Sequence, residues 1–213
     1  MAKTIVCFGD SNTYGYDPAS DGRFDETVRW PRRLQKLLGD DYEIMEEGQN
    51  GRTIANSDPW EGGTKRGMDY VLPMLETKRP DLLIIMLGTN DLKIKFCLPP
   101  ADIAGSMSTM LMNIRGYCEH YINCPDMKIL IVSPPAFSEP FSESRFEPFF
   151  GDTAAAKSRE LPKWYEPVAD LYGCFFLDAT KHVEAGAVDH LHLDPDGHAK
   201  LAELVRDKVL EIL

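Results

Sequence analysis

Five short apolar segments, separated by longer amphipathic ones, constrain the fold of this chain more than any other feature. The strand-like segments are residues 4–8, 42–46, 82–87, 128–132 and 174–177. The segments with helical periodicity are residues 29–38, 101–117, 154–172 and 199–213. Strands that alternate with helices favour a parallel sheet with helices on both faces and right-handed crossovers. We therefore predict an α/β fold, a three-layer α/β/α sandwich around a five-stranded parallel sheet.

Length and composition indicate a single domain over residues 1–213. Of the 213 residues, 43% are hydrophobic and 27% are charged, so the chain can bury one sizeable core. No internal repeat, low-complexity tract or interdomain linker interrupts the alternation of strands and helices. Two loops stand out, residues 17–27 and the Pro- and Phe-rich residues 134–152. The second is long for a compact domain, and loops of that length are more often functional than idle.

Charge, hydropathy and cysteine spacing exclude several classes of partner. The formal net charge of −11 argues against nucleic acid and anionic membranes, since either would repel this surface. No segment approaches the roughly 18 apolar residues of a membrane span. The five cysteines are odd in number and never spaced Cys-x-x-Cys, which argues against a disulfide framework or a zinc knuckle. Because the first strand follows Met1-Ala2-Lys3 at once, we predict no secretion signal and expect a cytoplasmic protein.

A serine follows the first strand on a sharp turn and is the candidate nucleophile. The apolar, β-branched residues 4–8 are typical of a central parallel strand, and Gly9-Asp10 then ends that strand before Ser11. Open α/β folds bind their ligands at this carboxyl edge of the sheet. On its own, Gly-Asp-Ser is also a common turn sequence, so the assignment of Ser11 depends on groups elsewhere in the chain.

Two further segments at predicted strand ends offer donors for an oxyanion hole. Gly88-Thr89-Asn90-Asp91 follows the strand at residues 82–87, where the Asn90 side-chain amide can face the crevice of Ser11. Residues 47–53 carry glycines that let a main-chain N–H approach a ligand closely. We predict that the N–H groups of Ser11 and Gly51 and the Asn90 amide form the oxyanion hole, with Gly48 as the alternative to Gly51.

Near the C-terminus, Asp189 and His192 lie three residues apart, so one loop can supply both a general base and the carboxylate that orients it. A metal-dependent phosphoesterase is an alternative, because this region is rich in potential metal ligands. These are Asp189, His190, His192, Asp194, Asp196 and His198. Against that alternative, Asp194 precedes Pro195 and is typical of a helix N-cap. A non-catalytic binding module that keeps the crevice is a third hypothesis.

Four blocks in this order resemble the SGNH hydrolases, also called the GDSL esterase/lipase family. The blocks are Gly9-Asp10-Ser11, the segment around Gly51, Gly88-Thr89-Asn90-Asp91 and Asp189-x-x-His192. Arg29-Trp30, Glu46-Glu47-Gly48 and Val132-Ser133-Pro134-Pro135 bring the chain closest to the bacterial arylesterase and acyltransferase branch.

The resemblance implies a flavodoxin-like five-stranded sandwich and ester hydrolysis without a cofactor or metal. Ser11, His192 and Asp189 would be the catalytic residues, and Gly51 and Asn90 would serve the oxyanion hole. By the same resemblance, the expected substrates are small-molecule, short-chain esters of aryl or sugar alcohols. Transfer of the acyl group to another alcohol is the alternative to its hydrolysis.

Departures from the family pattern mark the predicted substrate-binding residues. Asn12 stands where leucine is usual, and Tyr14 and Tyr16 stand where acyltransferase-like members have tryptophan. Together with Trp60, these residues are predicted to shape the substrate site. The loop also carries an aromatic lobe, defined as Phe137, Phe141, Phe146, Phe149 and Phe150. The lobe could line the site, cap the core or meet a neighbouring subunit, and we expect a homo-oligomer on this account.

Overall fold

The computed structural model describes residues 2–213 as strands and helices that alternate along the chain. The strands are β1 (Lys3–Gly9), β2 (Tyr16–Asp17), β3 (Gly22–Arg23), β4 (Tyr42–Gly48), β5 (Leu82–Met86), β6 (Lys128–Val132) and β7 (Phe175–Leu177). The α-helices are α1 (Ser11–Tyr14), α2 (Trp30–Leu38), α3 (Gly67–Lys78), α4 (Pro100–His120), α5 (Glu147–Phe150), α6 (Ala154–Leu171) and α7 (Pro195–Ile212). Over residues 2–213, none of the helices combines the length and the apolar character needed to cross a bilayer.

Five strands form one parallel sheet in the order β4-β1-β5-β6-β7. The chain therefore moves outward from β1 to β4 on one side and from β5 to β7 on the other. The carboxyl ends of β1 and β5 face the crevice at which the direction of winding reverses, which is where such folds bind ligands. The predicted α/β sandwich and its five-stranded sheet are confirmed.

Helices cover both faces of the sheet and divide the core into two layers. Along β1, Val6 and Phe8 pack into the layer beneath α3, α4 and α6, while Ile5 and Cys7 pack into the layer beneath α2 and α7. Successive strand residues point to opposite faces, so a strand buried on both faces must be apolar throughout. This explains why β1 and β5 read as continuous apolar runs, and it makes the sheet a rigid base for the turns that follow its strands.

The structure also contains elements that the sequence patterns did not predict. Helix α3 begins at Gly67 and contains Pro73, and both residue types disfavour a helix interior. The loop predicted at residues 17–27 contains part of the short hairpin of β2 and β3. Helix α7 begins at Pro195, a turn before the predicted start at residue 199. Its N-cap is Asp194, as the Asp194-Pro195 pair predicts, and Asp194 Oδ1 accepts the Gly197 N–H at 2.7 Å.

Candidate active site

Ser11 is the first residue of α1 and lies at the carboxyl end of β1. The chain can turn tightly here because residue 9 is glycine. A Cβ on Gly9 would lie 2.0 Å from the Thr13 hydroxyl oxygen. The Asp10 carboxylate caps α1 by accepting the Asn12 N–H at 3.0 Å. A buried strand, a glycine that permits close packing and an acidic cap thus hold the serine at the edge of the sheet.

Ser11, His192 and Asp189 form one hydrogen-bonded chain. His192 Nε2 lies 2.9 Å from Ser11 Oγ, and His192 Nδ1 lies 2.7 Å from Asp189 Oδ2. The other Asp189 oxygen, Oδ1, accepts the main-chain N–H groups of Leu191 at 3.0 Å and His192 at 2.8 Å. All three side chains are buried. The arrangement has the contacts of a nucleophile, a base and an orienting carboxylate.

The electrostatics of Asp189 favour its ionised form. Burial acts to raise the pKa of this carboxyl group, but the hydrogen bond and charge of His192 outweigh it and lower the pKa below its usual value. The two main-chain N–H bonds act in the same direction. A carboxylate at this position keeps a proton on Nδ1 of His192, which leaves Nε2 free to accept the proton of Ser11.

The loop at residues 134–152 supports the turn that carries Asp189 and His192. His190 has a left-handed backbone with φ of 60°, and its Nδ1 lies 2.9 Å from the Ser138 hydroxyl oxygen. The Ser144 hydroxyl donates a hydrogen bond to the Asp189 carbonyl. Neither serine was identified from the sequence, since an isolated Ser in a loop carries no signal of its partner. Their contacts assign this loop a role in holding Asp189 and His192.

The predicted oxyanion-hole groups surround Ser11. Gly51 has φ of 77° and lines the same cavity as Ser11 and Asn90. Asn90 Nδ2 donates to the Arg52 carbonyl at 3.1 Å, which leaves its second N–H available. Among residues 2–213, no acceptor takes a hydrogen bond from the main-chain N–H of Ser11 or Gly51. By contrast, a Cβ on Gly48 would lie 2.1 Å from the Tyr14 nitrogen, so Gly48 serves close packing against α1.

Asp91 holds the Gly51 segment in place. Its carboxylate accepts the Ile54 N–H, at 3.0 Å to Oδ2, and the Asn56 side-chain amide at 3.1 Å. Burial raises the pKa of Asp91 to about 6, although these hydrogen bonds act to lower it. The last residue of the Gly88-Thr89-Asn90-Asp91 block therefore joins the turn after β5 to the loop after β4.

A cavity of about 290 Å³ opens beside Ser11. Its lining combines aromatic and polar side chains. The lining residues are Ser11, Tyr16, Asn50, Gly51, Trp60, Glu61, Asn90, Lys93, Phe146, Phe149, Phe150, Leu191 and His192. The cavity is thus lined by the candidate nucleophile Ser11, the candidate base His192 and the other two predicted oxyanion-hole residues, Gly51 and Asn90.

Two of the four predicted substrate-binding residues line the cavity, Tyr16 and Trp60. The structure locates the side chains of Asn12 and Tyr14 elsewhere. Asn12 Oδ1 accepts the Leu193 N–H at 2.9 Å, so this amide ties α1 to the loop of His192. The Tyr14 ring lies under the Arg23 guanidinium, 4.4 Å from the ring centroid. Asn12 therefore holds the loop that carries His192, and Tyr14 packs beneath the β2–β3 hairpin.

The aromatic lobe is divided between the core and the cavity. Phe137, Phe141 and Phe150 are buried against one another, with centroid separations of 4.9 to 6.2 Å. Phe146 meets the His192 ring edge-on at 5.5 Å, and Tyr16 approaches the same ring at 4.4 Å. Phe149 is half-exposed at the cavity rim. The lobe thus caps the core and lines the site, two of the three roles considered for it, and His192 lies between two aromatic rings.

The potential metal ligands near the C-terminus do not converge. Asp194 caps α7, and His198 Nδ1 accepts the Trp30 N–H at 3.3 Å from within the core. Burial, together with nearby Arg33, lowers the pKa of His198 to about 3. Over residues 2–213, no three side chains of His, Cys, Asp or Glu form a group that could hold a metal ion. The geometry therefore gives the metal-dependent alternative no ligand set.

Several solved structures are similar to this chain over almost its whole length. A structure of the M. smegmatis aryl esterase is 35% identical, with a TM-score of 0.91 and coverage of 100% of both chains. A carbohydrate acetylesterase from Sinorhizobium meliloti is 32% identical, with a TM-score of 0.91 and coverage of 99% of this chain and 100% of that one.

A curated relative is an acetylxylan esterase from Xylanibacter ruminicola, 23% identical over 223 residues and 94% of this chain. The chain spans only 42% of the length of that relative. The sequence model of the GDSL-like lipase/acylhydrolase family matches residues 7–200. This match spans all four motif blocks, and the chain belongs to the GDSL-like lipase/acylhydrolase family.

Proposed function

We propose that this chain is a carboxylic ester hydrolase that uses Ser11 as its nucleophile, His192 as its base and Asp189 as the orienting carboxylate. The observation that carries the proposal is the continuous contact from Ser11 Oγ to His192 Nε2, 2.9 Å, and from His192 Nδ1 to Asp189, 2.7 Å. Family membership supports the same reaction class. The Ser11 hydroxyl is too weak an acid to attack an ester unaided at neutral pH, so the adjacent base is essential.

The reaction proceeds through an acyl-enzyme. His192 Nε2 takes the Ser11 proton as Oγ attacks the ester carbonyl, and the carbonyl oxygen becomes an oxyanion. The N–H groups of Ser11 and Gly51 and the Asn90 amide receive that charge. His192 then donates its proton to the departing alcohol. Water, activated by His192, releases the carboxylic acid and restores Ser11.

Short acyl groups are the proposed substrates. The cavity of about 290 Å³ is bounded by Tyr16, Phe146, Phe149 and Phe150, which leaves little room for a long chain beside Ser11. Two similar proteins are, by their names, an aryl esterase and a carbohydrate acetylesterase. We therefore propose acetyl or similarly short esters of aryl or sugar alcohols. Alcohols that replace water in the second step would make the enzyme an acyltransferase.

Labelling with a fluorophosphonate probe tests the nucleophile. We expect a single covalent adduct on Ser11, identified by peptide mass spectrometry, with loss of esterase activity in proportion to labelling. Activity should be unchanged by EDTA. Absence of an adduct in an active preparation would contradict the serine mechanism, and inactivation by EDTA would favour the metal-dependent alternative.

A chain-length series of p-nitrophenyl esters tests the small acyl site. We expect the acetyl or butyryl ester to have the highest kcat/KM and the octanoyl ester to be at least about tenfold poorer, because methylene groups that do not fit lose binding energy in the transition state. A maximum at the octanoyl ester or beyond would contradict the assigned acyl site.

A further inference from the structure

Two residues that line the cavity, Glu61 and Lys93, belong to a cluster of ion pairs that the proposed mechanism does not use. We call it the Lys93 cluster, and its members are Asp58, Glu61, Lys65, Lys93 and Lys95. Lys93 Nζ lies 2.8 Å from Asp58 Oδ2 and 3.2 Å from Glu61 Oε1, while Lys65 Nζ lies 2.7 Å from Glu61 Oε2. Lys95 pairs with Asp58. Lys93 is only 6% exposed. Because a buried charge is costly unless it is paired, the carboxylates of Asp58 and Glu61 compensate the Lys93 ammonium group and fix its position.

Glu61 lies directly against the predicted oxyanion-hole glycine. A Cβ built on Gly51 would be 2.5 Å from both the carboxyl carbon and Oε2 of Glu61. Since a carbon–carbon bond adds about 1.5 Å, the Glu61 carboxyl group lies within about 4 Å of the Gly51 Cα. Glu61 and Gly51 also line the same cavity. A carboxylate therefore stands beside the position at which negative charge develops on the substrate.

Glu61 is ionised in this setting. Burial acts to raise its pKa, but the hydrogen bond from Lys65 and the charge of Lys93 lower the pKa below its usual value. An uncompensated carboxylate here would repel the oxyanion and raise the barrier, because charges a few ångström apart interact strongly where water is excluded. Each Glu61 oxygen instead meets one lysine, and the cluster as a whole contains one more cation than carboxylates.

We infer that Lys93 is a positioning residue for the oxyanion hole, which holds and neutralises Glu61 beside Gly51 so that the site can accept negative charge. The inference rests on the proposed function, in which the Gly51 N–H receives the oxyanion. Lys93 acts through Glu61 and not on the reacting atoms. Its contribution therefore appears in the formation of the tetrahedral intermediate, and hence in kcat, more than in the binding of a neutral ester.

A double-mutant cycle between Lys93 and Glu61 tests this role with an acetyl ester as substrate. Lys93→Met is expected to lower kcat by about tenfold and to change KM by less than about threefold. Glu61→Gln alone should raise kcat by about twofold or less. The double variant, Lys93→Met with Glu61→Gln, should recover most of the lost kcat, because the charge that Lys93 neutralised is no longer present.

Lys95→Met is the matched control, since Lys95 pairs with Asp58 and not with Glu61. Adding Glu61→Gln to the Lys95→Met variant should change kcat by the same small factor as adding it to the wild-type protein. Such additivity is expected of residues that do not interact. Lys93→Arg keeps the charge and should retain kcat within about threefold. Should Lys93→Met fail to fold, Lys93→Gln with and without Glu61→Gln gives the same comparison.

The outcomes separate this inference from the proposed function. Wild-type kcat in Lys93→Met or Lys93→Gln, or a double variant that stays as slow as the single lysine variant, would overturn the role of Lys93. Neither result touches the assignment of Ser11. If Ser11→Ala retained esterase activity, the proposed function itself would fail, whatever the cycle shows.

Discussion

Ser11→Ala is expected to lower kcat/KM for an acetyl ester by at least about 10⁴-fold while the protein remains folded. The substitution removes the proposed nucleophile and leaves only the oxyanion hole and substrate binding. In serine hydrolases these two alone still give a rate above that of the uncatalysed reaction. The Ser11 side chain is buried, and within residues 2–213 its hydroxyl makes one hydrogen bond, to His192. Loss of the hydroxyl should therefore change the free energy of unfolding by about 1 kcal/mol. Esterase assays and thermal unfolding of the same preparations measure both quantities.

Ser142→Ala is the matched control for that experiment. Ser142 lies in the same loop as the serines that support the catalytic turn, but its side chain is exposed and has no hydrogen bond within residues 2–213. Its kcat/KM should stay within about twofold of wild type. Substantial activity in Ser11→Ala, after contamination by wild-type enzyme has been excluded with the fluorophosphonate probe, would show that another group performs the attack.

The sheet was predictable from the sequence because its strands satisfy a strong physical requirement. A parallel strand covered on both faces has to be apolar at every position, and residues 82–87 meet that condition without interruption. Strand β5 accordingly occupies five of those six positions. Helix α3 lacks such a signal, since Gly67 and Pro73 oppose helix formation and the tertiary packing of Val71 and Leu75 overrides them.

The proximity of the candidate site residues was partly predictable, since Ser11 and Asn90 each follow a strand at the same edge of the sheet. Asp189 and His192 lie in the loop that precedes α7. Topology alone brings Ser11 and Asn90 together, because parallel strands end at a common edge. The residues that hold them were not predictable in this way. Ser138 and Ser144 contact His190 and Asp189 across about 45 to 52 positions of sequence. No local sequence pattern predicts such contacts. They depend on how the loop at residues 134–152 folds against the turn of Asp189.

Asn12 is a residue for which the sequence predicted a contact that the folded chain does not make. A polar residue next to the nucleophile, at a position where the family pattern has leucine, predicts contact with the substrate. In the folded chain its amide instead bonds the main chain of Leu193, 181 positions away. A buried amide needs a hydrogen-bond partner, and Asn12 has one in the main-chain N–H of Leu193. At this departure from the family pattern, the side chain thus attaches the loop of His192 to α1 and does not line the cavity.

Asp189→Asn is expected to lower kcat/KM by about 10³- to 10⁴-fold at neutral pH with a fold close to that of wild type. An amide can occupy the carboxylate site and still accept the N–H groups of Leu191 and His192, so the turn should persist. It can also donate to His192 Nδ1, which moves the imidazole proton to Nε2. In that tautomer Nε2 has no lone pair for the Ser11 proton, and the developing imidazolium loses its counter-charge.

The pH dependence and a control variant identify the cause of that loss. Because the pKa of Asp189 is held below its usual value, Asp189 stays ionised throughout the neutral range, so its own titration should not limit the wild-type rate there. The loss of kcat/KM in Asp189→Asn should therefore be present across the whole neutral pH range. Asp194→Asn is the control, because it makes the same chemical change in the same loop. Since Asn is as good an N-cap for α7 as Asp, the kcat/KM of this variant should stay within about twofold of wild type. Equal losses in the two variants would indicate a general effect on the loop in place of a tautomer effect at His192.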